Sequence, residues 1–420
     1  MSFQQGLSGL NAASKNLEII GNNVANANTY GAKSSRAEFG DMYAAALGGA
    51  GGSNIGIGVN LQAVTQQFSQ GNITTTANGM DIAINGQGFF ELQQNGQTLY
   101  SRNGQFQVNK EGFIVNNQGA QLLGYPADGQ GVIQPGVAGP LQLPTAGIDP
   151  SATTEISMEL NLDSRAATTL PATTPQVNFS DATTYNNATS LTVFDAKGQD
   201  VALTYYFQKT ATDTWNVYVT ANGTSVAVDG AGDPAPVTTI NFPSNGGTPT
   251  SPSAPITLDI PASTNAAGAE TLAIAGIQLD MTGATQYGAS FGVTDLKQDG
   301  YAPGQLSGLS IEDSGIVMAT YSNGQSKPAG QIELSTFRNV QGLKPLGGNL
   351  WARTFESGDP IVGTPSQGNL GVLQSGALEE SNVDLTAELV NMITAQRIYQ
   401  ANAQTIKTQD QVLQTLVNLR

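Results

Sequence analysis

The stretch Leu385-Thr386-Ala387-Glu388-Leu389-Val390-Asn391-Met392, continued through Gln396, Tyr399, Ala403, Ile406, Asp410, Leu413 and Val417, decides the fold. Leu385, Leu389, Met392, Gln396, Tyr399, Ala403, Ile406, Asp410, Leu413 and Val417 alternate spacings of four and three. That is the a/d rhythm of a coiled-coil helix. No Gly or Pro interrupts Asp384 to Arg420, so one continuous helix is expected. Asp384 is placed to cap its N-terminus, and Glu388 sits where the helix dipole favours an anion.

The other end repeats the rhythm. Phe3, Leu7, Leu10, Ser14, Leu17, Gly21 and Val24 form a second a/d row. Ser2 with Gln5 reads as a capping box, so a helix starts at Phe3, and the Asn-rich run Asn22 to Asn28 ends it. Each stripe is too narrow to be a core, and a lone helix of this length is marginal in water. Every Leu left exposed forgoes ~1.5–3 kcal/mol of burial. The two helices are therefore expected to pair as a coiled coil or to pack on neighbouring copies. The plainer alternative lays both on a globular domain. Gln396, Gln400, Gln404, Gln409, Gln411 and Gln414 take the place of alternating Glu and Lys. That neutral face suits crowding by many neighbours, or simple solvation.

Between the ends the period changes to two. Ile82-Ala83-Ile84, Phe89 to Leu92, Gln105 to Val108 and Phe113-Ile114-Val115 read as strands. Asn85-Gly86, Asn95-Gly96, Asn103-Gly104, Glu111-Gly112 and Gln118-Gly119 are the turn signals between them. Leu191 to Phe194 and Val201 to Phe207 flank Asp195-Ala196-Lys197-Gly198 as a hairpin, and Trp215 to Val219 is a third strand. Pro234 to Pro261 should be loop or sheet edge. Strand patterns return over Ser310 to Phe337.

The chain is thus read as mainly β with α-helical termini, nested and multidomain. Residues 1–30 and 382–420 form a terminal helical coiled-coil domain, and 31–70 and 361–381 are extended linkers. Residues 71–149 and 289–360 form a middle β domain, into which an outer β domain, 150–288, is inserted. Gly48, Gly49, Gly51, Gly52, Gly56 and Gly58 lie in an Ala/Gly/Ser stretch expected to act as a hinge.

Composition excludes much chemistry. The 420 residues include no Cys and no His, which removes disulfides, zinc–thiolate sites and Ser-His-Asp triads. Only 11% are charged, against ~25% in an average domain. The formal net charge of −16 disfavours nucleic acid and anionic membranes as partners. No run of apolar residues is long enough to span a bilayer, and the first residues lack a cleaved secretory signal. Asp229 and Asp233 lie in a Gly-rich loop without a calcium-loop ligand pattern, read as a plain turn. Glu379-Glu380 is read as a solvated approach to the last helix. No catalytic, cofactor-binding or metal-binding residue is assigned, and no cofactor is expected.

Four stretches resemble the rod–hook axial proteins of the bacterial flagellum, hook subunits in particular. They are Gly9 to Asn26; Met80 to Phe90 with Tyr100 to Phe106; Phe337 to Leu343 with Gly348 to Trp351; and Asn382 to Leu419. Within the second, Asp81, Gly86, Gly88, Phe89, Phe90, Tyr100, Arg102, Gly104 and Phe106 form a shared β-core signature. The likeness covers roughly 1–125 and 290–420; residues 150–288 match only in position and character. Ala32 stands before Lys33 where the family usually has Phe. Length and the inserted domain favour hook over rod; other readings are a hook-associated protein or a secreted carbohydrate-active or adhesive β protein.

The resemblance implies a structural protein, not an enzyme, that polymerises with itself into a curved tube. Its implied partners are the rod, the hook cap, the hook–filament junction proteins and the flagellar export apparatus. It would be exported to the cell exterior without a cleaved signal. Leu7, Leu10, Leu17, Val24, Leu385, Leu389, Met392, Tyr399, Ile406, Leu413 and Val417 would form the self-assembly seam.

Overall fold

A computed structural model describes the chain except residues 1, 43–55, 57, 137, 145, 170, 172–173 and 419–420, and the side chains of 2 and 416–418. Two helices bracket a β-rich body: α1 spans Ser2–Ala25 and α2 spans Leu385–Asn418. The Asp384 carboxylate caps α2, accepting from the Thr386 and Ala387 N–H groups at 2.9 and 3.1 Å. Helix α1 ends inside the Asn-rich run, at Ala25. The Asn22 and Asn23 backbones stay helical, and Asn26 closes the helix by donating to the Asn22 carbonyl at 3.1 Å.

The chain divides into two compact units. The first comprises 1–145, 308–320 and 326–420, so the terminal helices and the middle β region share it. Its main sheet runs through Ser326–Ile332, Gln121–Pro126, Phe89–Gln94, Gln97–Ser101, Leu350–Ala352 and Lys344–Gly347. Asn95 and Gly96 both hold positive φ, giving the tight turn between Phe89–Gln94 and Gln97–Ser101. Asn109 and Asn116 begin a second kind of turn. Each side-chain oxygen accepts from the N–H groups two and four residues on, with glycine at the left-handed third position. Phe90, Leu92, Phe106, Ile114, Leu122 and Leu334 fill the core on one face. A smaller cluster, Phe89, Tyr100, Phe337, Leu343 and Trp351, fills the other.

The second unit comprises 146–307 and 321–325. Its two five-stranded sheets share one core, which Trp215, Tyr205, Phe207, Leu160 and Ile277 enter from both sides. The expected hairpin is present: Asn187–Phe194 pairs Asp200–Ala211, and Asp195 accepts from the Lys197 and Gln199 N–H groups, each at 2.8 Å. Asp229 builds the same turn, accepting from Ala231 and Asp233 at 2.8 and 3.0 Å. The unit reaches beyond 150–288. Gly292–Gln298 belongs to it because that strand lies antiparallel on Glu155–Asp163. Within Pro234 to Pro261, Ile256–Ile260 is a sheet edge and Thr238–Asn241 pairs with Thr214–Ala221.

The two linkers are not free extended chain. Ser35–Met42 and Gly58–Gln66 pair antiparallel from Ser35↔Gln66 to Met42↔Gly58. The outgoing 361–381 segment pairs back: Val372–Ser375 on Ile82–Asn85, and Ala377–Glu379 on Ile73–Thr75. Gly48, Gly49, Gly51 and Gly52 lie outside the described residues. Gly56 accepts from Gln5 Nε2 at 2.6 Å, and Gly58, at φ 138°, lies so close to Ser8 that a Cβ would collide with it. Both are packing positions along α1.

Gly58→Ala is expected to destabilise the first unit by about 1 kcal/mol or more in a urea titration, because the positive φ and the nearby Ser8 leave no room for a Cβ. Unchanged unfolding would show that the approach of Gly58 to α1 does not hold the linker.

Candidate assembly surface

The helices pack antiparallel. A Cβ on Gly6 would lie 3.2 Å from Ile406, and one on Gly9 would crowd Asn402 at 2.8 Å. At the far end Asn23 Nδ2 donates to Glu388 Oε1 at 3.0 Å. The buried positions of α1 are Gly6, Ala13, Ile20 and Asn23, and in α2 Ala395 is buried beside half-buried Glu388, Met392, Asn402 and Ile406. The coiled coil is there, but α1 uses the row one residue before the expected one. Small residues let the backbones approach closely. Ridges of Leu would hold them apart.

Part of the expected row consequently stays outside the contact between the helices. Leu7 is 44% exposed, Leu389 45% and Leu413 50%. Phe3, Leu385 and Tyr399 are exposed as well, whereas Leu10, Leu17, Val24, Met392 and Ile406 are half-buried. Val417 has no described side chain. Val390, Ile393, Ile398 and Val412 are also exposed, so α2 presents apolar side chains on more than one side. A helix apolar around its circumference is one that packs on several neighbours.

A buried charge cluster ties this surface to the β core. Glu379, 1% exposed, receives Lys33 Nζ at 2.6 Å and Arg102 Nη1 at 3.2 Å. Gly71 N–H donates to the same carboxylate at 2.9 Å. Lys33 also donates to the Ser69 carbonyl and Arg102 to the Gly86 carbonyl. Burial pulls the Lys33 ammonium below its ordinary range, and Glu379 opposes that pull. Burial likewise lowers Arg102, again opposed by Glu379. The reading of Glu379 as a solvated residue is thus corrected: its partners lie 346 and 277 positions away, beyond any local pattern. Three residues on, Asn382 accepts from the Ser34 N–H and donates to the Gln67 carbonyl, both at 2.7 Å.

The β-core signature surrounds this cluster. Arg102 is a member of it and stacks over Phe89 at 5.4 Å. Gly86 and Gly88 hold positive φ at the corner into Phe89–Gln94. Gly104 lets the Ile82 backbone come so near that no Cβ fits, and its carbonyl accepts the Ile82 N–H at 3.0 Å. Asp81 fastens the preceding turn, accepting from Thr76 and Asn78. Phe90 meets Phe106 edge-to-face at 5.1 Å, and Tyr100 meets Phe337 at 4.7 Å. Sequence reading missed Phe68, which packs on Phe89 and Trp351 at 5.6 Å each and fixes the incoming linker.

Three family models match. The flagella basal body rod protein model covers residues 3–33, the FlaE D2 domain model 161–301, and the C-terminal model of the basal body rod FlgEFG proteins 374–419. The flagellar hook protein FlgE of Salmonella typhimurium is 44% identical over 428 residues, covering all of both chains. The chain belongs to the flagellar hook protein family. It is a structural component of the flagellar hook. FlgE of Escherichia coli K12 is also 44% identical over the whole of both chains, and that of Treponema pallidum 31% over all of this chain and 99% of its own. The crystal structure of Helicobacter pylori flagellar hook protein FlgE2 shares the fold at a TM-score of 0.51 and 15% identity, over 73% of this chain and 99% of that one. Among the described residues no helix is long and apolar enough to cross a membrane.

Removing the shared carboxylate leaves two buried cations unpaired. Glu379→Gln is expected to destabilise the first unit by ~3–5 kcal/mol in urea unfolding. Lys33→Met, which keeps the Arg102–Glu379 pair, should cost clearly less. Equal losses would deny Glu379 its central place.

Proposed function

We propose that the chain polymerises with copies of itself into a curved tube that carries torque from the flagellar rod to the filament. The observation that supports this is the row of exposed apolar side chains on α1 and α2, left over after the two helices have packed on each other. Each forgoes ~1.5–3 kcal/mol until something covers it. Contacts between different surfaces of identical subunits build a helical tube when the rotation between copies does not close a ring.

In this reading the terminal helices line the inner wall around an export channel. Bending during rotation requires each subunit to lengthen and shorten along the tube once per turn. Few fixed ion pairs between subunits would ease such sliding, and only 11% of the residues are charged. The partners at the two ends would be rod proteins and the hook–filament junction proteins, with a cap during growth. The export apparatus would deliver the chain to the cell exterior without cleaving a signal.

Leu389→Asp and Leu413→Asp place a charge on the outward row without touching the intrachain packing. Each is expected to abolish tube formation in electron micrographs while leaving the circular dichroism and unfolding of both units unchanged. Tubes formed at wild-type yield by both variants would contradict the proposal.

A further inference from the structure

The first unit buries a second acidic site. On Phe89–Gln94, Phe90 and Leu92 enter one core, while Phe89 and Glu91 turn to the opposite face. Glu91 is 5% exposed and Glu333 is 2% exposed. Glu333 lies between the strands Ser326–Ile332 and Leu334–Thr336. The pairing Leu334↔Phe90 and Ser335↔Phe89 places it opposite Glu91 in the register of the two strands. Among the described atoms Glu91 Oε1 finds no hydrogen-bond donor, and the fully buried Ser335 hydroxyl finds no partner. Two carboxylates facing each other out of water repel, and neither oxygen can donate. A proton on one of them turns the repulsion into a donated hydrogen bond.

We propose that Glu91 and Glu333 hold one proton between them as a built-in proton-binding site, and that its loss on the alkaline side loosens the sheet of the first unit.

The surroundings fit this assignment. Burial, and after it the Glu333 carboxyl, pushes Glu91 up to about 8. Tyr100 faces Glu91 directly from Gln97–Ser101, and Tyr125 lies beside Glu333 on Gln121–Pro126. Both phenols are pushed upward by burial and by the neighbouring carboxyls, Tyr125 to about 12, so they stay neutral throughout. Arg353, which acts on this face through Tyr100, is engaged by Asp359 at 2.8 Å. Arg102, over the adjacent Phe89 ring, is engaged by Glu379.

The folded chain therefore binds this proton more tightly than the unfolded chain does. Its stabilisation is complete below the ordinary Glu range, near 4.5, and is lost as pH rises to about 8. One proton changes the folded-to-unfolded ratio by up to about tenfold per pH unit in that window.

The test uses the full chain. Its infrared spectrum at pH 7 should contain the C=O band of a buried carboxylic acid, which disappears above pH 8 and is missing in Glu91→Gln. In unfolding titrations between pH 5 and 9, the wild-type ratio for the first unit should fall relative to Glu91→Gln by up to about tenfold per unit. Absence of the band at pH 7 in the unmodified chain would overturn the proposal. So would equal pH slopes for wild type and variant. If Glu91→Gln does not fold, Glu333→Gln takes its place, and the infrared band of the unmodified chain decides independently.

Discussion

One carboxylate closes this chain on itself. Glu379 sits out of water between Lys33 from the incoming segment and Arg102 from the β core, and accepts a backbone N–H as well. A nested chain has to bring its ends together after a long excursion, and that closure costs conformational entropy. Paired strands help to hold it closed, Ile73–Thr75 with Ala377–Glu379 and Ile82–Asn85 with Val372–Ser375. The charge cluster adds direction, because a buried ion tolerates few alternative partners. From Glu379 the outgoing chain passes Asn382, held by Ser34 and Gln67, and then Glu388, held by Asn23. The path of α2 along α1 follows from these points.

That path explains why the helices meet on the small row. Gly6, Gly9 and Ala13 accept the close approach of Asn402, Ile406 and their neighbours. Leu7, Leu389 and Leu413 stay outside that contact. A subunit built this way has satisfied its own geometry and still carries an apolar surface, which is what a member of a polymer-forming family needs. Had the Leu row met α2 instead, little would remain to hold copies together.

Much of the fold was legible. The four-three rhythm at both ends gave both helices, and Asn95-Gly96, Glu111-Gly112 and Asp195 to Gly198 gave turns that the structure contains. The nested order followed from where the patterns stopped and resumed. What could not be read was which of two adjacent rows α1 presents to α2, because residues 6, 9, 13, 16, 20 and 23 keep the same rhythm as the row beside them. The two glycines in that row were the available signal. Glu379 was misread for a different reason. Its burial depends on Lys33 and Arg102, and no local pattern can announce a partner 346 positions away. Asn85-Gly86 and Asn103-Gly104 do lie at breaks between strands, but their packing roles were not legible: Gly86 offers its carbonyl to Arg102, and Gly104 admits the Ile82 backbone.

The central claim is that the outward apolar row is covered by other copies and not by the chain itself. The chain has no Cys, so single cysteines introduced as Leu389→Cys, Leu413→Cys and Ala395→Cys can each be labelled without background. The measurement is the rate of maleimide labelling in the dissociated chain and in assembled tubes. The account predicts fast labelling at 389 and 413 in the dissociated chain, strong protection of both in tubes, and protection at 395 in both states. Equal labelling rates at 389 and 413 before and after assembly would contradict it.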